Sequence, residues 1–283
     1  MKGIVFIDLD GTLLNSEWQI SERNKAAVSK VQGLGYEVVL CTARAITNSL
    51  DYAEQIGCNY IVYASGNVYD VREQKSLYIN TMDPEEAIQI YRMASRPDTY
   101  VMFTCTYGHR YSSQPRPTDA PSQYRINVIA GDTEQWIRGE GIVQIMVVAR
   151  DPSVLIRLRG QCLPLLNNLR LSEQSKCLHD LNESPEKYPH IGFSSKTSSK
   201  GNGVVKLCEV LENKGLCGET QRVSYPRSKR IAIGDCYNDI AMFAECSFNV
   251  AMGNALPQLR QKATVITDTN DNDGVAKFLE TLN

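Results

Sequence analysis

No stretch of this 283-residue sequence approaches the ~20 apolar residues that a membrane-spanning helix requires. The apolar run at the N-terminus stops at Asp8, too short for the core of a secretory signal. Neither charge dominates: 30 Lys plus Arg against 32 Asp plus Glu leave a net −2, so no global positive field gathers nucleic acid or anionic lipid. Nucleic acid and membrane partners are therefore not expected. The nine cysteines include no C-x-x-C pair, which disfavours a zinc ribbon or a thioredoxin-type site. Several lie inside apolar runs, as Cys41 does after Val38, Val39 and Leu40, where a reduced thiol behaves as a small hydrophobe. Reduced thiols predict a cytoplasmic protein. There is no internal repeat, and 42% apolar with 22% charged residues argues against long disordered or fibrous segments. Such a chain is longer than one hydrophobic core usually organises, so two domains, or one with a large insertion, are predicted.

What is present begins with an apolar run over residues 4–9, interrupted only by Asp8, that ends in an acidic turn, the pattern of a buried parallel strand delivering carboxylates at its C-terminal end. Ser21 is placed to cap a helix ending near Gly33 and Gly35, and a second buried strand over residues 37–41 ends in Thr42. A helix over residues 45–56 stops at Gly57, and residues 60–63 supply a third strand. The fold class is α/β, with a doubly wound, mostly parallel, Rossmann-like core sheet. From about residue 77 the rhythm changes. Asp83 and Pro84 open a helix, residues 100–106 and 143–148 read as strands, residues 154–169 as a helix and 171–178 as another strand, with a loop at Asn182 to Pro185. This is an inserted α+β module with edges at residues 80 and 190, between core segments 1–79 and 191–283. The βα rhythm then returns, with a helix over 204–211 and strands over 230–233 and 265–267.

Separate strand ends thus terminate in polar residues: Asp8 and Asp10, then Thr42, then Asp235 with Asn238 and Asp239. In an open α/β sheet the ligand crevice lies beyond those ends, so these groups converge although they are far apart in sequence. Converging carboxylates call for a cation, and oxygen ligands at a sheet mouth suit Mg²⁺. Asp8-Leu9-Asp10-Gly11-Thr12, Cys41-Thr42-Ala43-Arg44, Ser199-Lys200-Gly201 and Gly234-Asp235-Cys236-Tyr237-Asn238-Asp239 resemble, in order and spacing, the motifs of the haloacid dehalogenase (HAD) superfamily. The tail segments Ala251-Met252-Gly253-Asn254-Ala255 and Asp273-Gly274-Val275-Ala276-Lys277 further resemble its Cof-type subgroup, whose α+β cap domain is inserted between the second and third motifs.

The resemblance implies a Mg²⁺-dependent phosphatase acting on a small phosphorylated metabolite, a sugar phosphate first among the classes. Asp8 is then the nucleophile that divides a very slow hydrolysis into formation and breakdown of an aspartyl-phosphate. Asp10 is the acid and base for leaving group and water, and its backbone carbonyl reaches the metal. Asp8, Asp10 and Asp235 hold the ion, and Asp239 stands behind them. Lys200 offsets charge and binds phosphate together with Thr42, the backbone N–H of Ala43 and Asn238, with holding Lys200 or a water on the metal an equally open role for Asn238 and Asp239. Unit charges about 4 Å apart repel by about 4 kcal/mol at an effective dielectric near 20, so the cations are needed for binding as well as rate. Lys196, four residues upstream, is the register alternative to Lys200. Ala43 replaces the usual glycine, which would strain the turn if it requires positive φ. For Arg44, a surface salt bridge and a substrate contact are equally open. In the insertion, Tyr107, His109, Arg110 and Tyr111 form a polar and aromatic cluster, with a solvent-exposed hairpin the blander reading. The third glycine of a dinucleotide loop is missing after Gly201 and Gly203, which removes Rossmann cofactor binding. The rivals are a sugar phosphomutase, which returns the phosphoryl group to sugar, and a regulatory protein phosphorylated on Asp8 without turnover.

Overall fold

The computed structural model describes residues 2–64, 66–106, 108–115, 126–162, 164, 168–172, 190–214 and 224–283. Along the chain run β1 (Gly3–Ile7), α1 (Glu22–Gly33), β2 (Tyr36–Cys41), α2 (Leu50–Gln55), β3 (Tyr60–Tyr63), β4 (Asn67–Asp70), β5 (Lys75–Tyr78), α3 (Pro84–Ala94), β6 (Thr99–Cys105) and β7 (Arg110–Ser112). Then come β8 (Asn127–Val128), α4 (Thr133–Gly139), β9 (Ile142–Ala149), α5 (Pro152–Cys162), β10 (Leu169–Ser172), β11 (His190–Ser195), α6 (Lys200–Lys214) and β12 (Arg230–Gly234). The chain closes with α7 (Asp239–Ala244), β13 (Phe248–Ala251), α8 (Pro257–Arg260), β14 (Val265–Ile266) and α9 (Gly274–Leu279). It divides into two compact units, residues 1–79 with 199–283, and residues 80–198.

In the first unit one sheet runs β14-β13-β12-β1-β2-β3-β4-β5, parallel from β14 to β3 and antiparallel across β3, β4 and β5. Ile4, Val5, Phe6 and Ile7 are all 0% exposed. Consecutive strand residues point to opposite faces, so burial of all of them means that both faces of β1 are covered. The strands β2 and β3 extend the sheet to one side of β1, and β12, β13 and β14 extend it to the other. The order therefore reverses between β1 and β12, the place where an open α/β sheet leaves its ligand crevice. The Ser21 side chain accepts from the Asn24 N–H at 3.1 Å, as a helix cap should. Asn24 in turn accepts from the Ala276 N–H of α9 at 2.9 Å, joining the two ends of this unit. Residues 45–56 do not form one helix. A short 3₁₀ turn, Ile46–Asn48, precedes α2, and the Ser49 hydroxyl at the break donates back to the Ala45 carbonyl at 3.1 Å. Helix α6 starts earlier and ends later than residues 204–211.

The second unit is a sheet ordered β10-β11-β9-β6-β7-β8, antiparallel except between β7 and β8. Val101, Phe103, Ile145, Val147, Ile191 and Phe193 from alternate strand positions pack with Ile88, Ile137, Leu155 and Leu158 of α3, α4 and α5 into one core. Asp83 caps α3, accepting from the N–H groups of Glu85 at 2.9 Å and Glu86 at 3.2 Å. This unit runs to Ser198, not to 190, because β11 pairs with both β9 and β10 and belongs to its sheet. Of the helix read over residues 154–169, the described part is α5 to Cys162, residues 163 and 165–167 lie outside the described residues, and Leu169 already starts β10. The later part of the strand read over 171–178, and the loop at Asn182 to Pro185, lie outside the described residues. No helix among the described residues is long and apolar enough to cross a membrane. Every described cysteine has a free thiol.

Candidate active site

The register of β1 against β12 pairs Ile7 with Ile233, so Asp8 and Asp235 leave the sheet side by side from neighbouring strand ends. The Asp8 N–H donates to the Ile233 carbonyl at 3.0 Å, which continues the ladder one residue beyond β1. The chain then makes a π-type turn, Leu9–Leu13, interrupted by non-helical angles at Asp10 and Gly11, the latter with φ +74°. The turn brings the buried Thr12 hydroxyl to within 3.2 Å of Asp8 Oδ2 and 3.5 Å of Asp235 Oδ1. A Cβ on Gly11 would lie 2.5 Å from Asp235 Oδ2, so both the left-handed φ and the approach of the carboxylate require glycine. Gly11→Ala should lower stability by about 1–3 kcal/mol and displace Asp235. Urea denaturation together with a magnesium titration of the variant checks both effects.

Lys200, the first residue of α6, is 1% exposed, and its Nζ donates to Asp8 Oδ1 at 2.5 Å and Asp239 Oδ1 at 2.6 Å. Asp239 Oδ2 accepts from the N–H groups of Asp235 and Cys236, both at 2.9 Å. Both Asp239 oxygens are thus engaged, and this carboxylate fixes the Asp235 loop and the lysine. Lys196, the register alternative, follows β11 in the other unit, where its N–H donates to the Asn168 carbonyl.

Burial raises the Asp8 carboxyl well above its ordinary value; Asp239 and Asp235 push the same way, and Lys200 opposes them. Burial alone would depress Lys200, but Asp239 and Asp8 outweigh it and keep the ammonium charged. One oxygen each from Asp8, Asp235 and Asp239 lie within 4.8 Å of one another. With all three carboxylates ionised, the cluster and its ammonium would carry −3 + 1 = −2 in a buried setting. That donor set, all hard oxygens with surplus negative charge, fits a divalent cation of the Mg²⁺ kind held by Asp8 and Asp235.

The Asp10 carboxylate does not join this cluster. It is gripped by Arg44, whose Nε donates to Oδ2 at 2.9 Å and whose second terminal nitrogen donates to Oδ1 at 2.5 Å. Arg44, left open by sequence, is therefore the partner of Asp10. Thr42, at the end of β2, is 1% exposed; its N–H donates to the Val62 carbonyl at 2.8 Å and its hydroxyl accepts from the Arg44 N–H at 3.1 Å. Ala43 is not among the non-glycine residues with positive φ, so alanine is unstrained here and the anticipated cost of losing glycine does not arise. Asn238 lies just before α7, and its side-chain oxygen is buried without a hydrogen-bond partner among the described residues.

Two asparagines that sequence reasoning passed over brace the acidic turn. Asn254 donates to the Gly11 carbonyl at 2.7 Å, and Asn270 donates to the Leu14 carbonyl at 2.9 Å. The N–H of Asn270 also donates to the Asn254 side-chain oxygen at 3.1 Å. The tail segment containing Asn254 was the only signal. In the second unit, Tyr111 packs on Trp136 with ring centroids 4.9 Å apart and belongs to that unit's core, while His109 is exposed. Tyr107 lies outside the described residues.

The profile of the haloacid dehalogenase-like hydrolases matches residues 5–279. Phosphatase YwpJ of Bacillus subtilis is 26% identical over 295 residues, covering 99% of this chain and 99% of the relative. The 5-amino-6-(5-phospho-D-ribitylamino)uracil phosphatase YwtE of the same organism is 25% identical over 308 residues, covering 98% of this chain and 97% of the relative. The solved structure of a haloacid dehalogenase-like hydrolase from B. subtilis superimposes with a TM-score of 0.77 at 23% identity, over the whole of both chains. The profile match takes in every strand end described above, from Asp8 to Asp239, and the chain belongs to the haloacid dehalogenase-like hydrolases.

Proposed function

We propose that this protein is a Mg²⁺-dependent phosphatase that hydrolyses a small phosphorylated metabolite, in the first instance a sugar phosphate, through an aspartyl-phosphate on Asp8. The observation that carries the reading is the buried Asp8 carboxylate, paired with Lys200 and set beside Asp235 at the reversal point of a parallel sheet. An Asp8 oxygen attacks phosphorus as the bond to the ester oxygen breaks, and Asp10 supplies the proton that the departing oxygen takes up. Water then attacks the same phosphorus, gives its proton to Asp10 and releases Asp8. Held by Asp8, Asp235 and the Asp10 carbonyl, Mg²⁺ would supply charge neutralisation between the nucleophile and a phosphate dianion. Lys200 keeps Asp8 in line and opposes the rise that burial imposes on its carboxyl, Thr42 donates its hydroxyl to a phosphate oxygen, and Asn238 offers its unpartnered oxygen to a donor in the site.

Residues 80–198 would act as the cap of the Cof-type arrangement, excluding water from the phosphoenzyme. The free thiols suit a cytoplasmic protein. The phosphatase names of YwpJ and YwtE, and the phosphorylated ribityl chain in the latter's name, support the reaction and the substrate class. A phosphate-release screen over many phosphorylated metabolites, run with Mg²⁺ and with chelator, tests the proposal. Free phosphate should appear only with Mg²⁺. Return of the phosphoryl group to sugar without phosphate release would show a mutase, and a phosphoprotein lasting minutes would show a regulatory acceptor.

A further inference from the structure

We propose that Trp18 is a substrate-specificity residue: its exposed indole is the platform on which a flat heterocyclic ring packs, in a substrate whose phosphate is carried by an attached sugar or sugar alcohol. The inference rests on the reading of Asp10 as proton donor to the leaving group. Trp18 is 61% exposed, more than any other large apolar side chain described. It also has φ +61°, a left-handed conformation that bulky residues rarely adopt and that persists only where the surroundings impose it.

Those surroundings are on hand. The Trp18 N–H donates to the Asn15 carbonyl at 3.0 Å, and the Asn15 side-chain oxygen accepts from the N–H groups of Glu17 at 3.1 Å and Gln19 at 2.9 Å. The Tyr52 hydroxyl donates to the Trp18 carbonyl at 3.2 Å. An aromatic ring that is left in water is thus mounted on a turn held from several directions, which is the construction of a contact surface and not of a loose side chain.

The ring is tied to the reacting groups. The Arg44 guanidinium lies 5.3 Å from the Trp18 ring centroid and 5.4 Å from that of Tyr52, and the same guanidinium grips Asp10. Attacking and leaving oxygens stand roughly in line in phosphoryl transfer, so the leaving group departs on the side of the residue that protonates it. Arg44, Trp18 and Tyr52, joined to Asp10 through that guanidinium, are the groups we assign to what the substrate carries beyond its ester oxygen. A ring-free polyol would leave the indole face in water, whereas a flat heterocycle would cover it and gain the stacking contact.

The test compares riboflavin 5′-phosphate with ribitol 5-phosphate, which share a phosphorylated ribityl chain and differ in the ring. In the native protein kcat/KM should favour the ring-bearing ester. Trp18→Ala should reduce that preference about tenfold, mainly through KM, and Trp18→Phe should retain most of it. An equal loss for both esters would make Trp18 a support for Arg44 and Asp10 only and would overturn the proposal. A direct reading comes from Trp136→Phe, which leaves Trp18 as the only tryptophan, since the sequence has 2. With Mg²⁺ present, riboflavin 5′-phosphate should quench its emission saturably within seconds of mixing, and ribitol 5-phosphate should not. Absence of saturable quenching overturns the proposal even if the esters are hydrolysed. Quenching without phosphate release from any ester would uphold the ring site and sink the phosphatase reading instead.

Discussion

Asp8→Asn should remove phosphate release by a factor of about 10⁴ or more while the fold persists, since the loss of a nucleophile leaves only positioning and charge to act. The same variant should be the more stable protein when metal is withheld. Burial and the neighbouring Asp239 and Asp235 raise the Asp8 carboxyl above its ordinary value of 3.8, so ionised Asp8 is a burden on the native state. The sign follows from proton counts: above 3.8 the folded protein holds a proton that the unfolded chain has released. Native stability in chelator therefore falls as pH rises from the ordinary carboxylate range to the raised value, and the isosteric amide removes that dependence. At neutral pH the gain should be on the order of 1 kcal/mol. Millimolar Mg²⁺ should reverse the order, because the native carboxylate binds the ion and the amide binds it less well. Thermal denaturation of both proteins, with chelator and with Mg²⁺, gives the four values. A variant that retains most metal-dependent turnover would refute the nucleophile, and melting temperatures that fail to cross would refute the charge argument.

Lys200→Met should be the most destabilising single change in the site. The ammonium is 0% exposed and is shared between Asp8 and Asp239, so its removal leaves buried carboxylates without their counter-charge. Loss of one partner from a buried pair costs about 3–5 kcal/mol, whereas Lys196→Met, at an exposed position, should stay within about 0.5 kcal/mol. Mg²⁺ should restore part of the loss in Lys200→Met by replacing the missing positive charge, and activity should remain severely reduced because Asp8 is no longer aligned. Urea denaturation of the two variants at neutral pH, repeated with Mg²⁺, separates this account from a general packing defect, which Mg²⁺ would not repair.

The parts of the fold that were legible in the sequence are those with a local cause. Apolar runs ending in acidic turns marked β1 and β12, and Ser21 and Asp83 marked helix starts by their own side-chain chemistry. The segment His190–Ser195 was not read as a strand, because its membership in the inserted sheet is decided by pairing with β9 and β10 and not by its composition. The β4–β5 hairpin escaped for a similar reason: only residues 71–74 separate two short strands at the sheet edge. In the site, the residue types at the strand ends announced a convergence. How the acids divide their hydrogen bonds did not show, since Asp10 meets Arg44 and Asp239 meets Lys200 across 34 and 39 residues respectively. Ala43 shows the converse limit: a departure from the expected residue suggested strain, and the backbone angle removed it.

The pairing of Ile4 with Arg230 in the central strands, and the asparagine props at 254 and 270, also govern when the pocket comes into being during biosynthesis. Asp8 leaves the ribosome ahead of its lysine, which follows 192 residues later, and ahead of its neighbouring strand and the props of its loop. A nascent chain therefore carries Asp8 without its ammonium partner until Lys200 has emerged, and the cluster is complete only once β12 and the asparagines at 254 and 270 have followed.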